Sequence, residues 1–319
     1  MILKFKPILK STIWGGEKIV KLKKMESPQP LVGESWEISG IPGSESIVSE
    51  GDYEGLPLNQ LVHKMGAKLL GTRNHQRFRN EFPLLVKFID ANEDLSIQVH
   101  PDEETAQRQG KGHGKTEMWY AMQSSPDAHL YNGLRQVITP EQCKAMANDG
   151  TICDALARYE VREGDVFFVP AGCIHSIGKG CLVVEIQQTS DVTYRLYDFM
   201  RRGKNGKLRE LHLKEAAESI HYQSILDNHI TYTPQKNKGI GLVRSPFFTT
   251  SIYDLDETMI IDYNNLDSFV ILIGLKGQGS LFDHEGRSTS LCEGETVLIP
   301  ACTKEIKVEG EVKFLETYV

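Results

Sequence analysis

The chain predicts a mainly β fold built from two related β-barrels, with helical insertions on the first. Short segments rich in Val, Ile, Phe and Tyr alternate with Gly, Pro, Asn and Asp turns along most of the 319 residues, as strands of a sandwich or barrel do. The unit Glu163-Gly164-Asp165-Val166-Phe167-Phe168-Val169-Pro170-Ala171 returns as Glu293-Gly294-Glu295-Thr296-Val297-Leu298-Ile299-Pro300-Ala301. That separation far exceeds a solenoid period of roughly 20 to 50 residues, so the repeat marks two barrels. Helical spacing is confined to residues 57–70, 101–109, 140–148, 151–159 and 213–224, two of which open near a proline, as helices often do.

Taken in order, residues 1–236 form the first unit and 237–319 the second. The linker falls in residues 233–241, where Pro234, Lys236, Asn237, Lys238, Gly239 and Gly241 cluster. A composition of 40% hydrophobic and 25% charged residues describes an ordinary globular chain. The longest apolar run, residues 269–275, is far short of the ~18 needed for a membrane span. Lys4, Lys6, Pro7 and Lys10 interrupt the apolar start, which excludes a secretory core and predicts a cytoplasmic protein. Six cysteines without a C-x-x-C pair argue against a zinc ribbon or disulfide framework.

A net charge of −7 gives no attraction to nucleic acid or anionic lipid. The one basic cluster, Lys18, Lys21, Lys23 and Lys24, reads as a solvated face. The expected partner is a small molecule, with neither nucleic acid nor membrane involved, and an anionic substrate must be held by local cations.

The candidate chemistry begins at Leu95-Ser96-Ile97-Gln98-Val99-His100-Pro101. Alternation places Gln98 and His100 on one strand face, Cα atoms ~6.6 Å apart, close enough to converge on one ion. Glu117 opens the strand-like run after Lys115-Thr116 and offers a carboxylate. In Pro170-Ala171-Gly172-Cys173-Ile174-His175 a turn precedes a strand carrying an imidazole toward a barrel interior. One Gln, one Glu and two His form a mixed N/O set suited to Zn²⁺ or another borderline divalent ion.

These motifs, with Trp14-Gly15-Gly16 and Ser190-Asp191-Val192-Thr193-Tyr194-Arg195, resemble the short form of the type I phosphomannose isomerases. The resemblance runs from Trp14 to about Arg201 and loosens beyond. It implies cupin-like, jelly-roll barrels, one zinc per chain held by Gln98, His100, Glu117 and His175, and interconversion of mannose 6-phosphate and fructose 6-phosphate. The sequence departs from long-form members at Gly114 and Thr116, where they carry His and Pro, and at Cys173, where Thr is commoner. Because the four-ligand set is already complete, Cys173 reads as a small core residue.

Isomerisation needs a proton moved between C1 and C2 and a stabilised enediolate. Arg195, in phase with Asp191 and Thr193, is the candidate electrostatic partner; otherwise it is a surface ion pair. Glu185 shares a strand face with Gln187, and a carboxylate among apolar neighbours suits proton transfer near neutrality; alternatively it orients a metal-bound His. Lys115 is a candidate for binding phosphate or a sugar hydroxyl, or else a solvated loop cation. Trp14 and Trp119 are either sugar platforms or core, and Tyr197 and Asp198 carry no assignment.

Matching the repeats places Glu305 opposite His175. Residues 268–275 and 279–283 offer no Q-x-H, and His284 stands alone, so the second barrel is expected to be metal-free. Competing readings are a cupin oxygenase using iron, a non-catalytic sugar-binding cupin, and an isomerase for a different sugar. The oligomeric state is left open.

Overall fold

A computed structural model describes residues 1–25, 31–203, 206–223 and 225–319. Three antiparallel sheets dominate it, as the mainly β reading expects, but they are open rather than closed barrels. The five-stranded sheet runs Tyr194–Tyr197, Ile97–Val99, His175–Ile177, His129–Leu134, Leu156–Glu160. The seven-stranded sheet has Glu117–Ser124, Cys181–Gln188 and Leu84–Asp90 at its centre. The ten-stranded sheet gathers the C-terminal strands and the N-terminal strand Leu3–Lys6, which pairs with Thr296–Ile299. The chain therefore ties its first residues into the C-terminal half.

The seven-stranded sheet is the middle layer, and both its faces are buried. Along Cys181–Gln188, Leu182, Val184 and Ile186 pack with Phe269, Ile271, Ile273 and Leu315 of the ten-stranded sheet. The alternate residue Val183 points the other way and joins Ile89, Trp119 and Phe167 against Leu130 and Ile177 of the five-stranded sheet. Strands covered on both sides read as near-continuous apolar runs, so the few polar residues inside them stand out. The outer face of the five-stranded sheet is covered by helices Pro140–Asp149 and Leu213–Ser219, through Ile97, Val99, Tyr194, Leu196, Cys143 and Ala216.

The helical expectations fare unevenly. Residues 57–70 form two helices, Leu58–Met65 and Ala67–Leu70, because Gly66 adopts φ 53° and breaks the run. Residues 101–109 give Glu103–Arg108, with Asp102 accepting from the Thr105 N–H at its start. Thr139 and Gln142 form a capping box ahead of Pro140–Asp149. The helix expected over 151–159 is instead a 3₁₀ turn, Ile152–Ala155, followed by strand Leu156–Glu160, whose pairing with His129–Leu134 overrides local propensity. Helix Leu213–Ser219 ends before the predicted limit, and Ser224 lies outside the described residues.

Helices Lys18–Leu22 and Thr72–Phe78 were not anticipated. The basic cluster is not simply a solvated face: the Lys23 side chain is only 8% exposed and pairs with Glu37 at 2.9 Å. The two strands expected over 268–275 and 279–283 are one strand, Val270–Asp283, irregular between Gly274 and Lys276. Among the described residues no helix is long and apolar enough to cross a membrane.

Candidate metal centre

Two rows of residues meet between the seven- and five-stranded sheets. On the five-stranded sheet Gln98 lies directly opposite His175 on one side and Arg195 on the other, so all three share a face. On the seven-stranded sheet Glu185 lies opposite both Lys87 and Trp119, and Gln187 opposite Glu117. His100 follows strand Ile97–Val99 immediately, two residues from Gln98.

His100, Glu117 and His175 are fully buried and offer ligand atoms within 4.8 Å of one another. His100 Nε2 is 3.5 Å from Glu117 Oε2, His175 Nε2 is 3.4 Å from Glu117 Oε1, and the Gln98 amide is 3.4 Å from His175 Nε2. A tetrahedral ion with bonds of ~2.1 Å holds its ligand atoms ~3.4 Å apart, so this spacing suits one small divalent cation.

The hydrogen bonding agrees. His100 Nδ1 lies 2.8 Å from the Val192 carbonyl and His175 Nδ1 lies 2.9 Å from the Cys173 carbonyl. Each Nδ1 must therefore carry a proton to donate, which leaves both Nε2 lone pairs facing the centre. Neither Glu117 oxygen accepts a hydrogen bond, although the Lys115 ammonium stands 2.9 Å from one as an ion pair. A buried carboxylate so placed keeps lone pairs free for a further ligand beside the ammonium.

Electrostatics keep the donors in ligating form. Burial, reinforced by Lys115, pushes the His100 imidazole down to about 3, and burial likewise lowers His175. Burial alone would raise the Glu117 carboxyl, but the Lys115 ammonium beside it holds it well below the usual carboxylate range. Burial, with Glu117 adding to it, pushes the Cys173 thiol up to about 12. Its S–H donates to Asn132 Oδ1 at 3.2 Å, in keeping with a small core residue rather than a thiolate ligand.

A cavity of about 340 Å³ reaches this centre at Gln98 and Lys115, within the usual size range for small-molecule sites. Trp14, Thr193, Arg195 and Glu185 line it too, whereas Trp119 is core: its indole N–H donates to Glu185 Oε2 at 3.0 Å. Asp191 is exposed and does not line the cavity, whereas Thr193 and Arg195 both do.

Two surroundings differ from the sequence reading. Glu185 is not among apolar neighbours; its Oε1 lies 3.0 Å from Lys87 Nζ and 3.8 Å from Lys115 Nζ. Lys115 is no solvated loop cation, being buried and 3.1 Å from His100 Nε2. The departures at 114 and 116 have local causes. A Cβ on Gly114 would come within 2.6 Å of Glu103 N and 3.0 Å of Pro101 O. The Thr116 hydroxyl accepts from the Ala171 N–H at 3.2 Å, joining the strand of Glu117 to the turn before His175.

Sequence reasoning missed Lys87, Glu34 and Arg209, which also line the cavity. Lys87 carried a signal, a single cation within the otherwise apolar run Pro83-Leu84-Leu85-Val86-Lys87-Phe88-Ile89. Asp198, unassigned before, accepts from Arg209 at 3.3 Å and from Arg201.

Residues 2–130 match the family model for the phosphomannose isomerase type I catalytic domain, and residues 240–319 match that for the mannose-6-phosphate isomerase cupin domain. Mannose-6-phosphate isomerase ManA of Bacillus subtilis (strain 168) is 34% identical over 99% of this chain and 98% of its own length. The mannose-6-phosphate isomerase of Streptococcus mutans is 32% identical over 96% of this chain and 94% of its own. A crystal structure of the Bacillus subtilis mannose 6-phosphate isomerase superposes with a TM-score of 0.88 at 30% identity, covering 100% of this chain and 99% of that one.

Proposed function

The chain belongs to the type I phosphomannose isomerases, and from that premise we propose that it interconverts mannose 6-phosphate and fructose 6-phosphate through an enediolate, using one zinc ion per chain. Gln98, His100, Glu117 and His175 would hold the ion. The observation that carries this reading is the convergence of His100, Glu117 and His175 beside a cavity walled by Lys87, Lys115, Arg195 and Arg209.

When bound, the ion supplies Lewis-acid polarisation of adjacent sugar oxygens. The chain's own residues would do the rest. Arg195 lines the cavity, and its guanidinium would donate to the oxyanion that develops as the proton leaves carbon. Arg209, held by Asp198, adds a second guanidinium to the same wall and so favours a phosphorylated substrate over a neutral sugar. Proton transfer between C2 and C1 falls to the Lys115–Glu185 pair, which lines the cavity beside the ligand cluster. Lys87 and Trp119 fix the Glu185 carboxylate from both sides.

A coupled assay on mannose 6-phosphate, run before chelation, after it and with zinc restored, tests the reading. Activity should vanish with the metal and return with zinc. Undiminished turnover in metal-stripped protein would refute the metal role, and no turnover of mannose 6-phosphate in zinc-loaded protein would refute the substrate.

A further inference from the structure

We propose that Glu34 is a specificity-determining residue whose carboxylate accepts a hydrogen bond from the sugar hydroxyl at C3 or C4. The inference rests on the isomerase reading above and deepens it. Two carboxylates line the cavity among the described residues, Glu34 and Glu185. Both oxygens of Glu185 are engaged, Oε1 by Lys87 and Lys115 and Oε2 by the Trp119 N–H. Glu34 differs. Its Oε2 accepts from the Trp36 indole N–H at 2.6 Å and lies 3.7 Å from Lys87 Nζ, whereas its Oε1 has no partner among the described residues.

Strand register places this group. On strand Val32–Ile38, Glu34 lies opposite Ile89 and Trp36 opposite Lys87, so the four side chains share one face, and Glu34, Lys87 and Ile89 line the same cavity. The Glu34 side chain is 21% exposed against 4% for Glu185, which leaves it within reach of a ligand. Trp36 and Lys87 hold the acceptor in place before any ligand arrives.

Chemistry selects what meets it. An ionised carboxylate only accepts hydrogen bonds, so its partner must donate and carry no negative charge. The phosphate is repelled by Glu34 and belongs with the Arg195 and Arg209 guanidiniums on the cavity wall. The oxygens at C1 and C2, between which the proton moves, belong beside the metal centre. The neutral hydroxyls at C3 and C4 remain for Glu34. A site built to bond a hydroxyl rejects the analogue that lacks it, because the site's own polar group is then left unpaired.

The test compares kcat/KM of the zinc-loaded parent, Glu34→Met and Glu34→Gln on mannose 6-phosphate and on its 3-deoxy and 4-deoxy analogues. In the parent, one analogue should be poorer than mannose 6-phosphate by about tenfold or more, the worth of a hydrogen bond to a charged group. In Glu34→Met that penalty should shrink to within about twofold, since the acceptor is gone. Glu34→Gln keeps a neutral acceptor and should fall between the two; it serves alone if Glu34→Met fails to fold. No penalty for either analogue in the parent would overturn the proposal. So would a penalty of equal size in parent and variants, which would mean that Glu34 serves only Lys87. If the zinc-loaded parent does not turn over mannose 6-phosphate at all, the isomerase reading itself fails and Glu34 falls with it.

Discussion

Replacing Lys87 by Met tests whether the buried charges of the cavity wall hold each other in place. Lys87 and Glu185 have side chains 7% and 4% exposed, 3.0 Å apart on adjacent strands. At an effective dielectric constant of ~20 such a pair attracts by roughly 5 kcal/mol. Lys87→Met regains part of this because the ammonium no longer has to be desolvated. It also leaves Glu185 with Lys115 at 3.8 Å and the Trp119 N–H at 3.0 Å. The net loss should therefore sit near the low end of the range for breaking a buried pair, about 3 kcal/mol. Burial would lower the Lys87 pKa, but Glu185 and Glu34 outweigh it and raise it. With a folded value above the unfolded one, the pair's contribution is complete below the unfolded value of ~10.4 and fades only as pH rises through the folded value. The loss should thus be the same at pH 6 and pH 8. Denaturant unfolding of the single variants and of Lys87→Met/Glu185→Gln gives the coupling energy. A Lys87→Met loss below about 0.5 kcal/mol, or a coupling indistinguishable from zero, would refute the reasoning.

Other outcomes separate the roles around the cavity. Arg195→Ala should lower turnover far more than zinc content, whereas His100→Ala should lower both; activity and elemental analysis on the same preparations decide, and full activity in Arg195→Ala removes Arg195 from the mechanism. Gly114→Ala should lose about 1 to 3 kcal/mol of stability, because its Cβ meets backbone rather than a flexible side chain. It should also reduce turnover by displacing Lys115; an unchanged melting temperature would contradict the packing.

Part of the candidate site was legible in sequence because its spacing is local: Gln98 and His100 are two residues apart along one extended segment, and the Pro170–Gly172 turn announces His175. What joins these segments is register. Gln98 sits between His175 and Arg195 because strand Ile97–Val99 lies between theirs, and no periodicity in one segment reveals its neighbour. The same blindness explains the misjudged setting of Glu185. Its sequence neighbours are apolar, yet the groups it touches are Lys87, from a strand nearly a hundred positions earlier, and Trp119. The strand Leu156–Glu160 was read as helix for the same reason, its partner being distant in sequence.

The C-terminal strands pack the corresponding interior with apolar side chains. The repeat there supplies strand Thr296–Ile299 in the manner of Val166–Val169, but Glu305 is exposed and the interior is filled by Leu272, Leu281, Ile306 and Phe314. A buried acid there, Glu316, accepts from Tyr263 Oη at 2.7 Å and from Tyr253 Oη at 3.5 Å and has no cation partner among the described residues. Burial raises its pKa, and the two hydroxyls offset only part of that rise. Between the unfolded value of ~4.3 and the folded one, the folded chain binds more protons, so this group makes stability fall as pH rises. Glu316→Gln keeps an acceptor for Tyr263 and removes the charge. Relative to the parent protein it should be stabilising at pH 7.5 and near neutral at pH 4. Melting both proteins at the two pH values measures the difference. Equal effects at pH 4 and 7.5 would mean that charge at Glu316 does not govern the packing of this half, and that its tyrosines serve only as core.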